Sequence, residues 1–315
     1  MSEAAQAARR PPATPFLVPR FEHVPMRPLR PFDHPEQDGF YVDVCGSTAA
    51  FASAMSAFGD FDDLVEGGYV LVAGESGCGK TAMVNRLADR VRAGLARHNL
   101  RAGVVDMTAV LEDQERSVDQ RMLRVCHRLL PLLRKADLLR QGAEALWERY
   151  DDPRLIFPEL DTALEPGTAA VVLLPSPGDL QLEVVRYAKT LSSRRVVFLA
   201  ESSMLGDRVV DIEEELEDFR PAVVVEMRTL SAEDVDRFVT DRLGRYPGVF
   251  PGITREGLRR LSIMCPSVKT LQRTAHGTYK MVLKKGGDPV GGRAVDDEDF
   301  RRYQAEQVRR GGGRP

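Results

Sequence analysis

The chain has 315 residues, 43% of them hydrophobic and 29% charged, with a formal net charge of −3. That balance supplies a core for one large domain or two ordinary ones and excludes a fibrous, disordered or uniformly basic protein, while leaving room for a local basic face. No apolar run reaches the roughly 20 residues of a membrane helix, so membrane insertion is not expected.

The stretch Met1–Arg10 lacks the apolar core of a secretory leader. Cys45, Cys78, Cys126 and Cys265 are widely spaced, with no CxxC pair. Neither a zinc site nor a disulfide framework is indicated, and a cytoplasmic location is expected. The segment to about Pro35 is rich in proline. It includes Pro25-Met26-Arg27-Pro28-Leu29-Arg30-Pro31, whose spacing matches the turn of polyproline II. With Arg9, Arg10, Arg20, Arg27 and Arg30 it is also locally basic. It reads either as a flexible or wrapped arm or as a docking motif for a partner.

From about Phe32 the pattern becomes one of alternating strands and helices. Tyr69-Val70-Leu71-Val72-Ala73 reads as a buried strand ending in glycine, followed by a helical stripe of Val84, Leu87, Val91 and Leu95. Gly103-Val104-Val105-Asp106 is a second strand, and Val118, Met122, Val125, Leu129 and Leu132 form another helical stripe. The third, fourth and fifth strands are 169–174, 195–200 and 222–226. Such alternation predicts parallel strands, covered on both faces and joined by right-handed crossovers. After Leu230 the strands stop. Ser231-Ala232-Glu233-Asp234 reads as a capped helix start, followed by helices around Thr254–Ile263 and Ser267–Leu283 and a last one at Asp297–Arg309.

The loop after the first strand is Gly74-Glu75-Ser76-Gly77-Cys78-Gly79-Lys80-Thr81, which fits the P-loop pattern at every defined position. Glycines let the backbone amides turn inward around phosphates, Lys80 offers a compact charge to the β- and γ-phosphates, and Thr81 offers a hydroxyl to Mg²⁺. The expected ligand is a nucleoside triphosphate, ATP with Mg²⁺.

A P-loop hydrolase normally ends its third strand in an acidic residue that holds the metal, often beside a second that activates water. Here Pro175 and Ser176 stand in those places. Asp179 follows several residues late, as a displaced acid or as a cap of the next helix. Glu201 and Ser202, after the fourth strand, face the expected γ-phosphate position, as a substitute base and a water-orienting hydroxyl or as plain loop residues. Asp106 is a further candidate at the end of the second strand.

These features together resemble an AAA+ ATPase, in particular the modules of origin-recognition initiators, secretion-associated ATPases and STAND-type regulators, over roughly Phe32 to Lys285. The resemblance implies an α/β P-loop NTPase three-layer sandwich with a five-stranded parallel sheet, followed by a small all-helical lid domain. It divides the chain into an arm at 1–35, an ATPase domain at 36–229, a lid at 230–285 and a tail at 286–315. It also implies an adenine clamp from Pro31-Phe32 and Phe40-Tyr41-Val42, and a lid residue at the γ-phosphate where Lys269 replaces the usual arginine. Arg220 takes the place of an arginine finger that would complete a neighbour's site in a homo-oligomer; its plainer reading is a surface arginine beside the acidic run Glu213–Asp218. Lys269 equally reads as a solvated helix residue.

Three functions follow as expectations. The first is an ATP-controlled switch or scaffold for a protein partner, with slow or absent hydrolysis. The second is a working ATPase that uses a displaced acid, as a motor or loader with DNA as one candidate track. The third, a small-molecule kinase, fits least, because the lid is neither short nor arginine-clustered near the loop.

Overall fold

The computed structural model describes residues 11–21, 27–108, 117–143, 152–176, 180–190, 193–203, 208–216, 222–284 and 293–311. Helix α1 (Ser47–Phe58) precedes strand β1 (Gly68–Gly74), which runs into helix α2 (Lys80–Arg97). Strand β2 (Arg101–Asp106), helix α3 (Val118–Lys135), strand β3 (Thr168–Leu173) and helix α4 (Leu180–Thr190) follow. Strand β4 (Val196–Ser202), helix α5 (Arg208–Leu216) and strand β5 (Ala222–Met227) complete the sheet.

The five strands are parallel and lie in the order β2-β3-β4-β1-β5. β1 therefore sits between β4 and β5, which explains why Val70, Leu71, Val72 and Ala73 are all fully buried. Side chains alternate across a strand. Val70 and Val72 enter a core with Leu87, Val91 and Leu95 of α2, whereas Leu71 and Ala73 enter a second core with Val125 and Leu129 of α3 and Val184 of α4. The result is the expected three-layer sandwich. Parallel pairing also puts the carboxyl ends of β1, β3 and β4 on one edge of the sheet.

Helix α6 (Ala232–Gly244) starts at a complete capping box. The Ser231 hydroxyl accepts from the Asp234 N–H, and the Asp234 carboxylate accepts from the Ser231 N–H. Helices α7 (Arg255–Met264), capped by Thr254, and α8 (Val268–Lys284) follow. Helix α9 (Asp297–Gly311) then packs back on this unit. Phe300 is fully buried, and a Cβ on Gly277 would meet the Tyr303 ring at 2.2 Å, so only glycine admits this approach. The last helix, expected as part of a polar tail, is thus an integral member of the helical bundle.

The described parts of the proline-rich arm are wrapped onto the body. Phe16 stacks on Phe238 of α6 at 6.3 Å and meets Tyr279 of α8 edge-on at 5.2 Å. Leu17, Val18, Phe21 and Leu29 are buried as well. Gln272 of α8 donates to the Phe16 carbonyl, Asn85 of α2 donates to the Leu29 carbonyl, and Arg30 pairs with Asp106. The arm so bridges the helical bundle and the sheet domain. Pro25 and Met26 of the proline repeat lie outside the described residues.

Candidate functional site

The fold concentrates its chemistry where β1 gives way to α2. Gly79 caps α2 with φ +107° and offers no side chain to the free N–H groups of the first turn. Those amides, with the helix dipole behind them, form a cradle for an anion. Lys80 is buried, and its Nζ donates to the Glu75 carbonyl at 2.7 Å, so its charge is held inside the loop. Cys78 is also buried, and burial pushes its thiol pKa up, which suits a packing role. Gly77, at φ +83°, is the point where the bundle touches the loop. A Cβ there would meet the Ser267 Oγ at 2.7 Å, and the Lys269 N–H donates to the Gly77 carbonyl at 3.2 Å.

A cavity of about 440 Å³ opens over this loop. Its walls include Ser76–Met83 of the loop and α2, Phe40-Tyr41-Val42, Phe238 and Arg242 of α6, and Val268, Lys269 and Gln272 of α8. The arm adds Val18, Arg27, Pro28 and Leu29. Of the expected adenine clamp, Phe40, Tyr41 and Val42 line the cavity, but Pro31 and Phe32 do not. Phe32 packs beneath the Arg30 guanidinium instead. The Tyr41 hydroxyl donates to the Ala82 carbonyl at 2.9 Å, and burial raises its pKa, so it stays a neutral wall.

The acid-bearing edge differs from the sequence expectation. Pro175 is buried and Ser176 is exposed. The bend after β3 is held from below by Arg121 of α3, which donates to the Ser176 carbonyl at 2.9 Å and forms a buried ion pair with Glu183 of α4. The Ser176 hydroxyl donates to Glu201 Oε1 at 3.4 Å, and Glu201 lines the cavity. The other oxygen, Glu201 Oε2, is buried with no hydrogen-bond partner among the described residues. A carboxylate oxygen left orphaned in a wall fits a water or cation beside bound phosphates. Strand alternation turns Ser202 away: it is 1% exposed, and the cavity is lined by Glu201 and Ser203 instead. Ser202 is therefore not placed to orient a water, and Ser203 is the hydroxyl that alternation delivers.

Asp106 does not reach the cavity. Burial disfavours its charge, but hydrogen bonds from Thr108 and Arg30 outweigh this and hold its carboxyl below the usual range. Its role is to anchor the arm. Lys269 stands exposed at the cavity edge beside Gly77. Asp179 and Arg220 lie outside the described residues.

Two arginines in the wall were not read from the sequence. Arg242 is buried, with its guanidinium over Phe238 at 4.9 Å and Phe40 at 5.4 Å, and it donates to the Phe40 carbonyl. Burial lowers its pKa to about 10. Arg86 lies over Phe51 at 4.0 Å and Tyr41 at 4.7 Å. The spacing of Phe238 to Arg242, and of Ala82 to Arg86, is one helical turn, a signal that placed each pair on one face.

No family model matches the sequence, and no curated protein does. Solved structures do match in shape. The Aeropyrum pernix ORC2 protein, solved as ADPNP–ADP complexes, is similar over 81% of this chain at 15% identity and a TM-score of 0.51. Cdc6p from Pyrobaculum aerophilum is similar over 82% at 11% identity and a TM-score of 0.53. In both cases 66% of the other chain is covered, so this chain spans just under two thirds of their length. At such identities the likeness is one of fold alone, a parallel P-loop α/β sheet followed by a helical bundle.

Proposed function

We propose that this chain, built on an AAA+ P-loop fold, is an ATP-binding switch or scaffold for a protein partner that hydrolyses ATP slowly or not at all. The observation that carries this reading is a contrast along one edge of the sheet: a complete phosphate cradle at the end of β1, and Pro175-Ser176, with no carboxylate, at the end of β3. Lys80 and the first-turn amides of α2 would bind and orient the β- and γ-phosphates, and the Thr81 hydroxyl would hold Mg²⁺. The metal, when bound, neutralises phosphate charge. The contact from Lys269 and Ser267 to Gly77 supports a bundle that registers what the loop holds. The domain division and a cytoplasmic site, which suits four unpaired buried cysteines, belong to the same reading. So does a homo-oligomer that uses Arg220, for which nucleotide turnover would depend on protein concentration and fall in Arg220→Ala.

A second reading has one specific observation in its favour. Glu201 lies in the wall with a buried, unpartnered oxygen and the Ser176 hydroxyl on its other oxygen. It would then serve as a relocated base that accepts a proton from attacking water, and the chain would be a working ATPase. Nucleotide titration beside a phosphate-release assay separates the two. The switch reading expects tight ATP binding with turnover well below the roughly 1 s⁻¹ at the slow end of dedicated enzymes. Faster turnover that disappears in Glu201→Gln would establish the second.

A further inference from the structure

β3 and β4 pair with Leu173 opposite Leu199, and the ladder continues past the end of β3, where the Leu174 N–H donates to the Leu199 carbonyl at 2.8 Å. Two residues beyond Leu173 the same register sets Pro175 beside Glu201, and the Ser176 hydroxyl reaches Glu201 Oε1. The carboxylate that β3 lacks is therefore present at the same level of the sheet, one strand over. The strand that carries it is the nearer one to the phosphate loop. β4 pairs directly with β1, with Glu201 opposite Val72, whereas β3 is separated from β1 by β4 itself. Neighbouring strands lie about 4.8 Å apart, so the acid has moved by one such step toward the cradle. Of the two acids expected after β3, the first holds metal and the second activates water. Glu201 stands beside Pro175, the place of the first.

Its side of the sheet also fits a metal role. Val197 and Leu199 belong to the core shared with α2, and alternation carries Glu201 to that same side, where α2 begins with Lys80 and Thr81. Among the described residues that line the cavity Glu201 is the one acid, set with Arg27, Lys80, Arg86, Arg242 and Lys269. None of these cations pairs with it. Lys80 donates to the Glu75 carbonyl, and the hydrogen bond that Glu201 accepts comes from neutral Ser176. A carboxylate without a counter-charge repels a triphosphate in the same cavity, and a divalent cation between the two reverses that sign. Mg²⁺ in nucleotide sites is held by one or two carboxylates together with phosphate oxygens, and Glu201, Thr81 and Ser203 bring hard oxygen donors of that kind to the wall.

We propose that Glu201 is the metal-holding acid of this chain, transferred from β3 to β4, and that through it the cavity takes a nucleoside triphosphate as its Mg²⁺ complex. This rests on the nucleotide-binding reading above and gives slow hydrolysis a reason: the acid for the metal is replaced, and the acid for water is not. The test titrates the full chain with adenylyl imidodiphosphate, a non-hydrolysable ATP analogue, once in excess Mg²⁺ and once in EDTA. In the unmodified protein Mg²⁺ should tighten binding roughly tenfold or more, within the usual range of coupling between two ligands. In Glu201→Gln that gain should shrink to about threefold or less, mainly because the metal-free analogue binds more tightly once the repelling charge is gone. Binding in EDTA also vouches for the fold of the variant. Linkage is reciprocal, so the Mn²⁺ affinity of the protein–analogue complex, read from the EPR signal of free Mn²⁺, should fall by the same factor. Affinities in Mg²⁺ and in EDTA within about twofold of each other in the unmodified protein would overturn the proposal. So would a gain from Mg²⁺ that Glu201→Gln keeps within about twofold, which would return Glu201 to the role of a base. If the analogue binds in neither medium, or binds Lys80→Ala equally well, the nucleotide reading itself fails, a result distinct from either of these.

Discussion

The carboxyl ends of β1 and β3 lie on the same edge of one parallel sheet, two strands apart, and have been equipped very differently. β1 ends in glycines, a buried lysine and an uncapped helix start. β3 ends in a buried proline and an exposed serine. On the proposed reading the first end would hold phosphate; the second is where a P-loop hydrolase normally handles metal and water. In the proposed function capture of a nucleotide and its cleavage would be separable, because they would depend on different strands.

The largest expected effect tests the β3 end. Loss of a general base typically forfeits about 10²–10⁴ in rate, so purified protein should turn over ATP well below 1 s⁻¹. Glu201→Gln should leave the ATP dissociation constant within about threefold and abolish whatever residual phosphate release remains. A residual rate untouched by that substitution would remove Glu201 from the chemistry.

The next effect tests the β1 end. At 100 times its dissociation constant a ligand stabilises the folded state by about 2.7 kcal/mol. ATP with Mg²⁺ should therefore raise the melting temperature by roughly 5–10 °C, and Lys80→Ala should remove most of that shift. A melt of nucleotide-free protein that does not move at millimolar ATP would break the comparison at its firmer side.

The smallest effect comes from the end of β2, where a carboxylate is present but anchors the arm. Asp106→Asn should cost about 1 kcal/mol, discounted for the partial exposure of the Asp106–Arg30 pair. The Asp106 carboxyl is depressed in the folded state. Its contribution is therefore complete above the ordinary aspartate pKa of about 3.9 and is lost as pH falls through the lower folded value. Urea unfolding of the two proteins should differ at pH 7 and converge toward pH 2, with ATP hydrolysis at pH 7 unaffected.

The sheet was legible because each strand is a run of β-branched and apolar residues long enough to be covered on both sides. The starts of α6 and α7 were legible because Ser231 and Thr254 announce themselves as caps. Helix α1 was not foreseen: its buried face is Ala50, Ala54 and Phe58, two of which are too small to mark an apolar stripe. The arm was read by its prolines, which obscured Phe16, Leu17 and Val18 between them. Ser202 and Ser203 are adjacent in sequence, and only the register of β4 decides which one meets the cavity. Arg242 and Arg86 gain their surroundings from residues near Phe40, Tyr41 and Phe51, partners that no local pattern assigns to them.

Helix α6 holds the segment before α1 through three arginines. Arg245 donates to the Gly39 carbonyl, Arg242 to that of Phe40 and Arg237 to that of Asp43. Every one of these acceptors is a main-chain oxygen, which any amino acid would provide in the same place. The hydrogen bonds are therefore indifferent to side-chain identity at 39 and 43, whereas at 40 the Phe40 ring also lies under the Arg242 and Arg245 guanidinium groups. Substitutions at 39 and 43 should therefore be tolerated without loosening the junction, while exchange of an arginine for even a lysine, with its single ammonium, removes a bond that nothing on the opposite side can restore.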